Sequence, residues 1–447
     1  MSWSPARLWS RFVSNPLLVR VLRNSGYLLS ATTFSTALSM VQGALVARLV
    51  GVEGLGLVGL VTDFGSNVNR LTSFSMNQLV VHYVGDYTEQ AKPRHAAAVF
   101  KAAGLVEIGS SLLAVTLIVV LAPLAAQVIA HDPSRAPLFV LYGLAILGNL
   151  AMESSTGLLQ FADRFGALSW IAIGQAVLTL ALMATAFVTQ GGITEVVLAY
   201  AVGKASGALA STGAALVEAR RRWGAGWWRV PLSLLADRRR EMLRFAWSTN
   251  LSTTIALVTR DSELLWLGAF STPTQVGFYK VARAVTNLLF VPVSPLISTT
   301  YREASLEVSA RRWPNVRYLL RSGSLLASVW TLPAAVGLVV FGHLFISIVY
   351  TPASAAAYGP LMILLVGAVA VNILYWTRSM LLLLGQPTYP NWVQLMAGIL
   401  KIAATIIVVP ATGAMGMAGL LSAYFAGTTA VLVARVRQVL RRAEAGA

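Results

Sequence analysis

This chain has no cysteine, only four histidines, and few charges: 11% of its 447 residues, where an average soluble domain carries about 25%. Without cysteine there are no disulfides and no thiolate metal sites. His82, His95, His131 and His343 are scattered and form no ligand spacing, so neither a metal nor a cofactor is expected. Polar segments long enough to make a soluble domain are also missing, although the length alone would suggest two or three such domains. What fills the chain instead is apolar sequence, 56% of all residues. Much of it lies in stretches of the roughly 20 residues that one bilayer-crossing helix needs.

We place twelve such spans near 26–47, 55–84, 100–126, 136–160, 167–189, 196–217, 245–270, 275–301, 322–346, 359–384, 390–409 and 413–434. Glycine- or proline-bearing joints separate them, among them Gly51–Gly54, Gly191–Gly192 and Gln386–Pro387. The expected class is an all-α polytopic membrane protein. The first span follows Arg7, Arg11, Arg20 and Arg23 and lacks a small-residue cleavage site, so it reads as a retained helix and not a signal peptide.

The formal net charge is +17, which in a soluble protein would suggest nucleic acid. Its distribution points elsewhere. Lysine and arginine collect on the cytoplasmic side of membrane proteins. With the N-terminus inside, 24 of the 34 basic residues fall in cytoplasmic segments, and the external joints hold only Arg48 and Arg135. Both termini and the loop 218–244 are therefore expected in the cytoplasm, and no nucleic-acid partner is needed. Trp223, Trp227 and Trp228 in that loop suit a segment lying beside lipid headgroups.

The same loop divides the chain into residues 1–217 and 245–447, with six spans each. The halves begin alike: Asn24 to Gly56 is 32 residues, Arg244 to Gly277 is 33, and both glycines follow a short joint. An even number of helices per half keeps two repeats parallel, related by an axis along the membrane normal.

No long external loop exists to hold an enzyme site, and the joint near 347–358 contains no charge. A non-enzymatic function is expected, carried by polar residues inside the spans, where ionisable groups are costly and face a cavity or a partner. In the second span Asp63, Asn67, Arg70, Ser73 and Asn77 recur at helical spacing, forming either a cavity wall or a buried polar seam. In the seventh, Asn250, Thr254 and Asp261 lie within roughly 40° of one another, with Arg260 adjacent. In the eighth, Lys280, Arg283 and Asn287 share a face. Arg260, Asp261, Lys280 and Arg283 fall at similar depth, as a clamp in which Asp261 bridges to Lys280 or Arg283, or as substrate contacts. Glu107 and Glu153 share another depth and either couple to protons together or pair with Lys101 or Arg164. Lys204, Arg378 and Lys401 complete a set of eight basic and five acidic side chains within spans. The cationic excess points towards an anionic substrate.

Several of these residues also carry a family resemblance. The run Ala47-Arg48-Leu49-Val50-Gly51-Val52-Glu53-Gly54-Leu55-Gly56 resembles the end of the first helix in bacterial polysaccharide exporters. These are the O-antigen and exopolysaccharide repeat-unit flippases of the MOP (multidrug, oligosaccharidyl-lipid, polysaccharide) superfamily. Thr259-Arg260-Asp261-Ser262-Glu263-Leu264-Leu265, followed by Val276-Gly277-Phe278-Tyr279, is similar to their signature in the seventh and eighth helices. Val349-Tyr350-Thr351-Pro352 and Leu384-Gly385-Gln386-Pro387 resemble two of their joints, with Thr351 where glycine is usual. The resemblance implies a MATE-like V-shaped bundle of two six-helix lobes around a central cavity. It also implies alternating access at the inner membrane and a polyprenyl-pyrophosphate-linked oligosaccharide as substrate. Membrane lipids, a polysaccharide polymerase and glycosyltransferases would be its partners, and coupling to protons or sodium stays open. On that reading Asp63, Asn67, Arg70, Lys204, Arg260, Asp261, Lys280, Arg283 and Lys401 are the cavity candidates. The alternative is an ion-coupled antiporter for drugs or small metabolites in the same superfamily, for which an acidic cavity is expected.

The orientation is directly testable because the chain lacks cysteine. An impermeant thiol reagent applied to intact cells is expected to label Ser354→Cys and to leave Ser233→Cys unlabelled; the reverse pattern inverts the topology.

Overall fold

The computed structural model describes residues 16–445; Arg7 and Arg11 of the basic tail lie outside them. Fifteen α-helices are formed among these residues and no strand. The first half runs α1 (Pro16–Thr72), α2 (Met76–Glu89), α3 (Pro93–Val128), α4 (Ala136–Leu144), α5 (Met152–Phe161), α6 (Phe165–Val188) and α7 (Ile193–Trp223). The second runs α8 (Arg239–Ala256), α9 (Glu263–Phe270), α10 (Pro273–Asn287), α11 (Ser294–Ser309), α12 (Trp313–Val349), α13 (Tyr358–Ile373), α14 (Thr377–Leu383) and α15 (Tyr389–Ala445).

Helices α1 and α15 are each 57 residues long. Drawn straight they would reach about 85 Å, nearly three times the apolar core of a bilayer. Each instead folds back at a glycine with positive φ, Gly51 (74°) and Gly413 (56°), a conformation that residues with a Cβ rarely adopt. Lys401 and Tyr424 stand at nearly equal distances along the chain from Gly413, and the lysine Nζ lies 5.2 Å from the tyrosine ring centre. Around Gly51, Gln42 bonds the carbonyl of Ala176 on α6 while Ser66 meets Lys204 on α7. Those two partners lie at one level, because Gly203 and Gly207 of α7 press on Thr179 and Gln175 of α6.

Eight helical stretches among the described residues are long and apolar enough to cross a membrane. Two of them, Thr32–Glu89 and Tyr389–Glu444, are these hairpins and cross twice. The pairs α8–α9 and α10–α11 supply two more crossings that are too polar or interrupted to register on hydropathy, which makes the expected twelve.

The repeat is visible in the interruptions. Crossings two and four of the first half break at 73–75 and 145–151; crossings eight and ten, their counterparts, break at 288–293 and 374–376. The fourth and tenth crossings also open alike. In each, a capping side chain (Asp132 or Thr351) accepts the backbone N–H two or three residues on, and proline takes the first position of a 3₁₀ turn.

Packing divides the molecule along its length. At one end a single core joins both halves, with Leu55, Val58 and Leu60 against Tyr279, Val281 and Leu361. At the other end there are two cores. One gathers Tyr83, Phe100 and Leu158, the other Val316, Trp376 and Val436. The lobes therefore meet at one end and diverge at the other, which carries the basic joints 161–165, 223–239 and 309–313. At the shared end Gly56 and Gly277, the glycines that mark the repeat in the sequence, face each other. A Cβ on Gly56 would strike the backbone of Pro273 and Gly277, and one on Gly277 the backbone of Val52. Arg48 donates to the carbonyl of Tyr350 at 3.0 Å, and the His131 ring bonds the carbonyls of Gly268 and Ser271.

Two expectations change. Trp223 and Trp227 turn inward onto Phe100, with ring centres 5.9 and 5.2 Å away, and Trp228 alone of the three is exposed. Ser354 is buried, its hydroxyl 2.8 Å from that of Thr351, so the exposed Ala353 is the position for the external cysteine reporter.

Gly277→Val should lower the thermal midpoint of the purified protein, at a cost of about 1–3 kcal/mol for overpacking a close backbone approach. An unchanged midpoint would mean that the lobes do not close on this pair.

Candidate functional site

The breaks in the second and fourth crossings create polar space in the first lobe, and two carboxylates make those breaks tolerable. A helix that restarts inside a membrane exposes N–H groups which no water is present to satisfy. Glu107 on α3 accepts the N–H groups of Glu153 (2.6 Å) and Ser154 (2.9 Å) and the Ser154 hydroxyl (2.7 Å), at the first turn of α5. Glu153 then accepts the N–H of Met76 (2.9 Å) and the Ser73 hydroxyl (2.7 Å), at the start of α2. A negative group at a helix N-terminus is also favoured by the helix dipole. The structure thus brings Glu107 and Glu153 together through capping contacts, and neither meets the expected basic partners. Lys101 donates to the carbonyl of Val230, and Arg164 pairs with Glu218 at 3.2 Å.

A cavity of about 350 Å³ lies against these caps, lined by Ser66, Asn69, Ser73, Asn77, Asn149 and Lys204 among others. The polar stripe of the second crossing is present but rotated from its sequence reading. Asn67 is buried, its Nδ2 without a hydrogen-bond partner, and Asp63 lies outside the lining. Ser66, Asn69, Arg70, Ser73 and Asn77 form the wall. The single α-helix assumed over 63–77 is broken at 73–75, where Ser75 adopts a left-handed conformation, so one helical wheel does not describe it. Lys204 is fixed by the Ser66 hydroxyl at 3.1 Å and that of Tyr142 at 3.4 Å.

A second cavity of about 580 Å³ opens between the lobes. Arg70 belongs to both cavities. The remaining lining includes Ser248, Thr249 and Thr253 on α8, Arg378 on α14, and Asn391 and Gln394 on α15, with no carboxylate. Arg378 is exposed, and among the described residues its hydrogen-bond partner is the amide oxygen of Asn391, at 3.3 Å. In the sequence it was one intramembrane base among eight, with no signal to set it apart.

The acidic residues of the seventh crossing have other partners than expected. Asp261 pairs with Arg70 across the lobes at 3.1 Å and with its neighbour Arg260 at 2.9 Å. Glu263 is the residue bound inside the second lobe, to Lys401 at 2.6 Å, the Tyr279 hydroxyl at 2.7 Å and Arg283 at 3.4 Å. The expected bridge from Asp261 to Lys280 or Arg283 is not formed. The cause is the π turn Leu257–Asp261, whose extra residue shifts the following side chains by about one residue's rotation, roughly 100°. Lys280 runs along Gly59, where a side chain would collide with it. Asp63 stands one turn beyond Gly59 on α1. Arg260, Lys280, Arg283 and Lys401 all lie outside both cavity linings. No cluster of three His, Asp or Glu that could hold a metal occurs among the described residues.

Twelve crossings in two parallel lobes, joined at one end around a polar inter-lobe cavity, are the fold of MOP-superfamily transporters. The chain is similar to an inward-facing multidrug-resistance MATE transporter of that superfamily, with a TM-score of 0.74 and 14% identity over 92% of this chain and 95% of that one. It is similar to the inward closed form of the lipid II flippase MurJ to the same degree, TM-score 0.74 and 14% identity, over 93% of this chain and 89% of that one. Residues 21–301, more than half of the chain, match the family described as polysaccharide biosynthesis protein, and the chain belongs to that family. Inner membrane protein YghQ of Escherichia coli (strain K12) is 23% identical over 76% of this chain and 94% of that protein.

The Glu263–Lys401 pair is almost completely buried, and removing one partner leaves an uncompensated charge, an effect of about 3–5 kcal/mol. Glu263→Gln, which strips buried Lys401 of its carboxylate, should therefore destabilise the protein strongly, and Lys401→Met in the same chain should recover part of the loss. A loss caused by Asp261→Asn should not be recovered by Lys401→Met, and rescue of that variant in a thermal-unfolding comparison would contradict the pairing described.

Proposed function

We propose that this protein flips a polyprenyl-pyrophosphate-linked oligosaccharide across the cytoplasmic membrane by alternating access, for O-antigen, capsule or exopolysaccharide biosynthesis. In this reading residues 1–217 and 245–447 are the rocking lobes, and the loop 218–244 and both termini are cytoplasmic. Glycosyltransferases supply the lipid-linked substrate, a polymerase consumes it on the far side, and membrane lipids surround the route.

The observation that carries the reading is the inter-lobe cavity, which presents Arg70 and Arg378 with no carboxylate in its lining. Among the described residues Arg378 meets no carboxylate, whereas Arg70 is held on one side by Asp261 at 3.1 Å, so the anion falls chiefly to Arg378, whose planar fork suits phosphate. The surrounding serine, threonine, asparagine and glutamine side chains offer the donors and acceptors that sugar hydroxyls use, and the first-lobe cavity beyond Arg70 continues that lining. Family membership and a fold shared with a lipid II flippase support the same substrate class. The headgroup contacts are thereby reassigned from Arg260, Lys280 and Arg283 to Arg70 and Arg378. A multidrug antiporter exporting cations would be served by an acidic cavity, and this one is basic.

Arg378→Ala is expected to slow flipping of a defined lipid-linked oligosaccharide in reconstituted vesicles by roughly tenfold to a hundredfold, the effect of losing one or two charge-assisted hydrogen bonds. Arg378→Lys should recover part of it. Flipping by Arg378→Ala at the wild-type rate would remove Arg378 from the site. Uptake of a cationic drug in place of the glycolipid would favour the antiporter. Varying pH and sodium in the same vesicles identifies the coupling ion, if there is one.

A further inference from the structure

A groove of about 740 Å³ lies in the second lobe between the start of α12 and the end of α15. It shares no lining residue with the inter-lobe cavity. Helices α12 and α15 barely approach each other, so the space between them is not filled by protein. Its deep part is apolar: Trp376 forms the floor, held by a 2.8 Å bond from its indole N–H to the Ser324 hydroxyl, and the widely exposed Leu325 (68%) flanks it. Its rim carries four arginines in two matching pairs at helical spacing, Arg317 and Arg321 on α12, Arg437 and Arg441 on α15. Arg317 pairs with Glu444. Among the described residues Arg321, Arg437 and Arg441 have no hydrogen-bond or ion-pair partner.

A gap of this kind, open sideways on a membrane-spanning bundle, cannot stay empty, and its apolar depth is poorly filled by water. Its two halves match an amphiphile with an anionic head and an apolar tail. We propose that the groove binds an anionic phospholipid, its phosphate held by Arg321, Arg437 and Arg441 and its acyl chain laid against Leu325 and Trp376. Three unpaired guanidiniums disfavour a zwitterionic headgroup, whose ammonium they would repel. The groove lies apart from the inter-lobe cavity, which makes it a resident lipid's site and not a station of the transported molecule. The inference is independent of which glycan, if any, the protein flips.

The test uses the purified full-length protein in detergent, titrated with phosphatidylglycerol or phosphatidylcholine and read by native mass spectrometry. Phosphatidylglycerol should bind roughly tenfold tighter than phosphatidylcholine, the size of effect one charge-assisted contact gives. Arg321→Ala with Arg437→Ala should abolish that preference. Arg220→Ala with Arg221→Ala, which removes equal charge from the exposed end of α7, should leave it intact. Ser328→Trp, which fills the groove and keeps every arginine, should also abolish binding, with a melting curve confirming that the variant is folded. Equal losses from the two arginine pairs would overturn the proposal, because the preference would then be a diffuse effect of positive charge. Tighter binding of polyprenyl phosphate, displacing phosphatidylglycerol one for one, would overturn it too, by making the groove a substrate site.

Discussion

A helix that stops inside a bilayer leaves backbone amides with no water to receive them, and the first lobe of this protein depends on how that problem is met. Glu107 and Glu153 act in relay: the first holds the start of α5, and the second, carried on that same turn, holds the start of α2. The relay satisfies amides that both breaks expose, and the polar space of the first lobe lies against it. The second lobe interrupts its equivalent crossings with neutral side chains at the contacts described. There Asn372 donates to the Leu289 carbonyl and to the Thr331 hydroxyl, and Tyr375 bonds Thr300. The repeat therefore conserves a shape while changing its chemistry, and the charged half is the one whose cavity joins the space between the lobes at Arg70.

Charge is handled differently at each place where it enters the membrane. Glu263 is enclosed with Lys401, Tyr279 and Arg283, so the second lobe keeps these ions as internal structure. Asp261, two residues earlier, faces the other lobe and meets Arg70. Arg378, among the described residues, meets an amide. The sequence holds these groups as an undifferentiated set of intramembrane ions; packing sorts them into a buried cluster, a contact between lobes and a cation facing a cavity.

Much of the architecture was legible from composition and spacing. The crossings, the basic joints and the equivalence of Gly56 with Gly277 in the two halves follow from hydropathy, from the distribution of arginine and from the nearly equal spacings Asn24–Gly56 and Arg244–Gly277; that the two glycines touch comes from the packing. The interruptions were not legible, because serine, glycine and leucine at 73–75 or 145–151 carry no breaking signal strong enough to separate them from helix. Asn67 moved from the cavity wall to the interior, and the π turn exchanged the partners of Asp261 and Glu263. Arg378 was indistinguishable from the other bases of the spans until the fold set it opposite Arg70.

The seventh crossing belongs to both lobes. Its first half, α8, packs with the first lobe through Phe245 on His82 and Tyr83, and through Met242 and Ala246 in that lobe's core. Its second half, α9, lies with Tyr279 and Lys401 in the other lobe. The two bodies are thus stitched by a single helix whose loosest turn, Leu257–Asp261, lies within the membrane at the height of the contact between them. That turn is where the chain leaves one body for the other, because the loop 218–244 stays with the first, its Leu235 buried in that lobe's core and its Val230 carbonyl held by Lys101.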